Sequence, residues 1–229
     1  MGKGNPLLLP NMRGLAFYLL LVTFYLTSAC TPYGIKQEEV VQTLTEYGKQ
    51  NPEQYVLIDC PYGRIKAKFS DKAPLHRANL IRLVKLGYYS EQAQFYRVIA
   101  GFVVQGGDQT RREPSYLVPN EINPALAHTK GALAAARRDD NPGQASNPTD
   151  FYFVHGHGCG DDDLARFKIH PGTAAYAQYR KAGGAPELDG KYTVFGHIVE
   201  GQDVVNKIAQ QQVLNEKPLQ PIKFRIWVE

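Results

Sequence analysis

The chain has 229 residues, 43% hydrophobic and 21% charged, with a formal net charge of +4 at pH 7. That charge is small and scattered, and no stretch beyond the N-terminal segment concentrates Lys and Arg with aromatics, which argues against nucleic acid as a partner. The roughly 200 residues left after that segment suit one domain with a substantial core.

Residues 1–29 read as a secretory signal. Lys3 and Arg13 precede an apolar run from Leu15 to Leu26, which meets Thr27, Ser28, Ala29 and Cys30. A charged lead, an apolar core of about a dozen residues and small residues before a cut mark a signal peptide. The run falls short of the roughly 20 apolar residues that a bilayer-spanning helix needs. Its removal takes away Lys3 and Arg13 and lowers the net charge from +4 to +2. Cysteine directly after small residues resembles the lipobox of bacterial lipoproteins, although Thr27 stands where that box usually has leucine. The expectation is a diacylglycerol on Cys30 and a chain anchored in a bacterial cell envelope, at the periplasm or outer membrane. An ordinary secretory signal with Cys30 incidental is the alternative. Met12-Arg13 would also make a more typical start than Met1.

Residues 30–53 are polar, with Pro32, Gly34, Gly48 and Pro52 around one weakly amphipathic stretch (Val40, Val41, Leu44). They are expected to form a tether, with room for a short helix, ahead of a domain at 54–229. From Tyr55 the pattern changes to strands. Val56–Ile58, the turn signal Pro61-Tyr-Gly63 and the alternating Arg64–Phe69 read as a hairpin with one buried face. Pro74 suits a first helical turn and Gly87 a helix stop, with Leu80, Leu83 and Val84 on one face between them. Strands follow at Phe95–Ile99, Phe102–Gln105, Ala132–Ala136, Phe151–Val154, Thr193–Ile198 and Lys223–Val228, with a second helix at Gly201–Ile208. Asp161–Gly184 reads as a helical insertion. Many short strands with few helices predict an all-β barrel capped by helices, without fixing the strand order.

The run Phe95-Tyr-Arg-Val-Ile-Ala-Gly-Phe-Val-Val-Gln-Gly-Gly-Asp108 resembles the cyclophilins, a family of peptidyl-prolyl isomerases with an aromatic-x-Arg-hydrophobic-Ile-x-Gly-Phe-x-x-Gln-Gly-Gly-Asp signature. Gly131–Ala136, Thr149–Phe153 and Leu188–Gly196 resemble later stretches of the same family, so the likeness runs from about Tyr55 to the C-terminus. It implies an eight-stranded antiparallel barrel with a helix over each end. The activity implied is cis/trans isomerisation of X–Pro bonds, in exported or unfolded polypeptides for a protein of this address, with the protein acting as a monomer.

The chemistry explains the residue types. Amide rotation barriers are about 18–20 kcal/mol, because the nitrogen lone pair is delocalised into the carbonyl. Twisting the bond localises that pair on the prolyl nitrogen, so a fixed donor there stabilises the twisted state more than the planar ones. By resemblance Arg97 is the catalytic donor and Gln105 orients it. Phe102, Val103, Tyr152, Leu188 and Tyr192 would line an apolar slot for the proline ring, and backbone around Ala136 and Arg137 would grip the preceding residues. No nucleophile, metal or organic cofactor is called for.

Four positions depart from well-known members: Arg137 for asparagine, Asp150 for glutamine, Glu187 for tryptophan and Tyr192 for histidine. Asp150 could pair with Arg97 and blunt it, unless an Asp150–Arg137 pair intervenes. Asp150 and Glu187 are the ground for an alternative in which the domain is a weakly catalytic proline-peptide binder or chaperone module. His155, His157 and Cys159 alternate, yet their Gly-interleaved spacing matches no usual zinc arrangement, and the favoured reading is a loop with Asp161–Asp163 starting a helix. Cys60 and Cys159 are read as free thiols in preference to a disulfide, which could stabilise the fold by about 4–5 kcal/mol.

Overall fold

The computed structural model describes residues 32–229, so the signal segment and Cys30, with the lipid expected there, lie outside the described residues. Strands β1 (Tyr55–Cys60) and β2 (Gly63–Phe69) form the expected hairpin, with Tyr55 opposite Lys68 and Cys60 opposite Gly63. Along β2, Ile65, Ala67 and Phe69 are buried while Arg64 and Lys68 are exposed, so the period-2 pattern is the barrel wall.

The other long strands are β3 (Gln94–Val98), β4 (Val103–Gly107), β5 (Ala132–Ala135), β6 (Phe151–Val154) and β7 (Val194–Glu200), and short ones follow at β8 (Val213–Leu214), β9 (Lys217–Pro218), β10 (Ile222–Lys223) and β11 (Arg225–Val228). One antiparallel sheet runs β10-β3-β4-β6-β5-β7-β2-β1-β11. Its two edges, β10 and β11, are consecutive in the chain. The single strand expected at Lys223–Val228 is therefore split at Phe224, which nearly closes the sheet into an eight-stranded barrel. Phe224 is buried there, its ring 4.9 Å from that of Phe95 and 5.9 Å from that of Phe151. Helix α2 (Pro74–Lys85) and helix α5 (Gln202–Ala209) put Leu80, Ile81, Val204, Val205 and Ile208 into the same core.

The stretch read as a tether is instead part of the domain, since Tyr33–Glu229 form one compact unit. Helix α1 (Val40–Gln50) lies on α2, with Val40 and Leu44 fully buried beside Ala78, Tyr116 and Val118. Gly48 permits the approach, because a Cβ there would stand 3.2 Å from the Ala78 Cβ. Arg77 ties down the end of α1 by donating to the carbonyls of Asn51 and Glu53 at 2.8 and 2.9 Å. The apolar residues of α1 are few, so hydropathy gave little sign of their partner. Leu44→Ala is expected to cost about 2–5 kcal/mol of unfolding free energy, read from urea denaturation. A loss under about 0.5 kcal/mol would return this helix to the tether.

The 161–184 insertion holds two helices, α3 (Asp161–Arg166) and α4 (Ala174–Ala182), around a small cluster of Ala127, Cys159, Leu164 and Tyr179. Asp163 accepts from the Gly160 N–H at 3.0 Å, capping α3. Cys60 is half-buried and Cys159 buried, and both are free thiols.

Candidate functional site

Strand alternation gives β4, β5 and β6 two different faces. Val104, Leu133, Phe151 and Phe153 join the barrel core, while Val103, Ala134, Tyr152 and Val154 form a second cluster with Leu188 and Val194. Phe102, Ala136 and Tyr192 pack against that second cluster. Arg97 would break the pattern, because Phe95 two residues earlier points into the core. A register shift between them resolves the conflict: Phe95 pairs with Gly106, Arg97 with Gln105 and Val98 with Val104. The extra residue is Tyr96, and this bulge turns Arg97 onto the face of Gln105.

The result is a cleft of ≈ 330 Å³ lined by Arg97, Phe102, Val103, Gln105, Ala136, Arg137, Asp139, Tyr152, Leu188 and Tyr192. Every catalytic or substrate-binding residue expected from the sequence stands on it except Asp150, and Asp139 is added. A larger cleft of ≈ 620 Å³ between the loops at 112–117 and 138–147 holds none of those residues. Chemistry is assigned to the smaller cleft because it alone of the two combines a fixed cationic donor with an apolar wall.

Arg97 is fixed from two sides. Its Nη1 donates to Gln105 Oε1 at 3.3 Å, and its Nε donates to a Glu216 carboxylate oxygen at 2.7 Å. Its Nη2 has no hydrogen-bond partner among the described residues. The Gln105 amide is oriented in turn, its Nε2 donating to the Tyr96 hydroxyl at 2.6 Å; the Asp150 carboxylate lies near Tyr96 and accepts from Asn147 Nδ2 at 3.4 Å. Asp150 therefore stands behind Tyr96 and Gln105, rather than on Arg97. Burial pushes its carboxyl up to about 6, against the opposing pull of the neighbouring Tyr96 hydroxyl. Gly107 makes room for it, since any Cβ there would strike the Asp150 carboxylate.

The expected Asp150–Arg137 pair does not form. Arg137 donates from Nε to the Lys191 carbonyl at 2.9 Å and from Nη1 to the Arg138 carbonyl at 3.0 Å, and its guanidinium lies 4.8 Å from the Tyr192 ring centroid. A planar cation over an aromatic face is attracted by the ring quadrupole, which here stiffens the part of the cleft lining that Tyr192 forms. Glu187 lies in a short turn at Pro186–Leu188, next to the pocket residue Leu188 but off the cleft lining.

The His/Cys stretch holds the loop that carries Phe102. His155 Nδ1 accepts from the Gly101 N–H at 2.9 Å, and the backbone N–H groups of His155 and Gly156 both donate to the Phe102 carbonyl at 3.0 Å. Gly101 has φ +78°, a conformation that favours glycine. Among the described residues no three His, Cys, Asp or Glu side chains converge as a metal site.

Sequence reasoning missed a buried polar chain behind the slot. The Tyr152 hydroxyl meets His128 Nε2 at 3.2 Å, His128 Nδ1 meets Asp189 Oδ1 at 2.8 Å, and the Tyr179 hydroxyl on α4 donates to Asp189 Oδ2 at 2.7 Å. This chain fastens the insertion to the cleft wall. A buried tyrosine hydroxyl needs a partner, so Tyr152 carried a faint signal. Nothing local pointed to Glu216, which is 119 residues from Arg97 in the chain.

Residues 55–227 match the family model described as cyclophilin type peptidyl-prolyl cis-trans isomerase/CLD. A putative peptidyl-prolyl cis-trans isomerase of Staphylococcus saprophyticus is 35% identical over 163 residues, covering 66% of this chain and 79% of that protein. The peptidyl-prolyl cis-trans isomerase-like 2 protein of Rhizopus delemar is 31% identical over 188 residues; this chain covers 29% of its length. The fold is similar to that of a Cryptosporidium parvum cyclophilin-type peptidyl-prolyl cis-trans isomerase solved in the presence of the dipeptide Ala-Pro, with a TM-score of 0.58 and 22% identity over 77% of this chain and 99% of that one.

Proposed function

This chain belongs to the cyclophilin-type peptidyl-prolyl cis-trans isomerases, and we propose that the 330 Å³ cleft is its active site and that its substrates are proline-containing segments of exported polypeptides. One observation carries the site: a guanidinium held by Gln105 and Glu216, with Nη2 uncommitted, at an apolar slot. Phe102, Val103, Tyr152, Leu188 and Tyr192 take the prolyl ring, and backbone near Ala136 and Arg137 holds the preceding residues. With the ring fixed, the carbonyl on its N-terminal side turns. As the amide twists, the prolyl nitrogen becomes pyramidal and basic, and Arg97 donates to it. The donor is already in place, so little reorganisation is needed when the bond twists. No covalent bond breaks. The Cryptosporidium isomerase of this fold, solved in the presence of the dipeptide Ala-Pro, supports a substrate of this class. The site is tested by peptide exchange with and without Arg97.

The client class rests on the N-terminal segment: Lys3, Arg13, the apolar run and Thr27-Ser-Ala-Cys30. In this reading the Cys30 thiol carries the lipid and the isomerase works at an envelope membrane. The full chain expressed in bacteria fed radiolabelled palmitate is expected to take up label, and Cys30→Ala to abolish it. Equal labelling of both chains would remove the anchor and with it the envelope address.

A further inference from the structure

We infer that Glu216 is a positioning residue for the isomerisation, clamping Arg97 so that Nη2 is the nitrogen presented to the substrate; this rests on the reading of Arg97 as the donor. Glu216 is the second of the two residues joining β8 to β9. Asn215 and Glu216 have φ of 50° and 65°, the pair of left-handed conformations that a two-residue type I′ hairpin requires. Asparagine followed by glycine is the usual occupant of such a turn, because a Cβ crowds the left-handed region. A glutamate there is strained without any benefit to the turn itself.

Its two ends explain its presence. The Glu216 carbonyl accepts from the Val98 N–H at 2.7 Å, which docks the hairpin tip beside Arg97 in β3. The carboxylate then reaches Arg97 Nε at 2.7 Å. Strain held in place by the surroundings is a mark of a functional position. Arg97 carries no other carboxylate partner among the described residues. Arg97 and Glu216 side chains are 36% and 51% exposed, so the pair adds little to stability, as exposed ion pairs generally do. Its effect is on geometry. Gln105 alone would leave a long, flexible guanidinium hinged on one bond of 3.3 Å, whereas two bonds on different nitrogens fix both the plane and the direction of the third.

The test uses Tyr33–Glu229, which is one compact unit, with Glu216→Gly and Glu216→Gln, each also combined with Arg97→Ala. Isomerisation of an Ala-Pro peptide is measured together with the Arg97 Nε–H resonance and the melting temperature. Glu216→Gly relieves the turn and removes the carboxylate. It is expected to melt no lower than the parent, to lose the protected Nε–H signal, and to lose about three- to tenfold in kcat/KM, mostly in kcat. Glu216→Gln keeps an acceptor oxygen and should recover most of that loss. In the Arg97→Ala background neither change should lower the residual rate further.

Unchanged or raised activity in Glu216→Gly overturns the inference, as does an equal proportional loss in the Arg97→Ala background. If Arg97→Ala by itself is as active as the parent, the reading of the site fails and the positioning role falls with it. Loss in Arg97→Ala with no loss in Glu216→Gly removes only the role of Glu216.

Discussion

Arg97→Ala is expected to lower the isomerase rate by about 100- to 1,000-fold, the range seen when one preorganised transition-state donor is removed from an active site. The loss should fall on kcat, because the donor's target, a localised lone pair on nitrogen, exists only in the twisted state. Arg97→Lys should recover little. An ammonium is a point charge, and it cannot span Gln105 on one side and Glu216 on the other while directing a third nitrogen into the slot. Stability should move by no more than about 0.5 kcal/mol, since the Arg97 side chain is partly exposed and its bonds are rim contacts. Line-broadening NMR of an Ala-Pro peptide, with the protein's melting curve beside it, separates the two effects. Activity within threefold of the parent would show that Arg97 is not the donor.

The second large effect concerns stability against pH. Burial holds the Asp150 carboxyl up at about 6, above the 3.8 of an unburied group. Between those two values the folded protein keeps a proton that the unfolded chain has released. Stability therefore falls as pH rises through this window, and the full cost is present above about pH 6. Two units correspond to about 3 kcal/mol. Asp150→Asn removes the ionisation and keeps the side chain's size and an acceptor oxygen for Asn147 Nδ2. It should raise the unfolding free energy by about 2–3 kcal/mol at pH 8 in urea, and the gain should shrink to near zero by pH 4. A gain of the same size at both pH values would mean that packing, not ionisation, is responsible. Catalysis should stay within a few-fold of the parent, because Arg97 is held by Gln105 and Glu216 and not by Asp150.

The position of Asp150 away from Arg97 removes its part in the argument for a blunted binding module. Asp150 was suspect because, in sequence, a carboxylate stands where glutamine is usual, and nothing local says which cation it meets. In the structure its neighbour is Tyr96, and the carboxylate on Arg97 comes from Glu216 instead. Arg137, the expected compensation, is engaged with the Tyr192 ring and two backbone carbonyls.

The barrel and the cleft were legible because both are written in short-range patterns. Alternation in Arg64–Phe69 and Phe151–Val154, the turn at Pro61-Tyr-Gly63 and the helix bounded by Pro74 and Gly87 are local signals, each set by one backbone period. The Phe95–Asp108 run carried Arg97, Phe102 and Gln105 together, since neighbouring strands of an antiparallel pair put residues close in sequence close in space. By itself the sequence thus determined the main barrel strands, the two core helices and the residues that line the cleft.

Only the tertiary structure decided what meets those residues from far away. The bulge at Tyr96 sets which face Arg97 occupies, and alternation alone would have sent it into the core with Phe95. The Glu216 clamp, the His128–Asp189–Tyr179 chain behind Tyr152 and the docking of Val40–Gln50 onto the domain all join segments separated by many residues. Hydrogen bonds and packing contacts depend on proximity in space, and a chain folded into a closed barrel makes most such proximities at its turns and strand ends, where residue order gives no measure of distance.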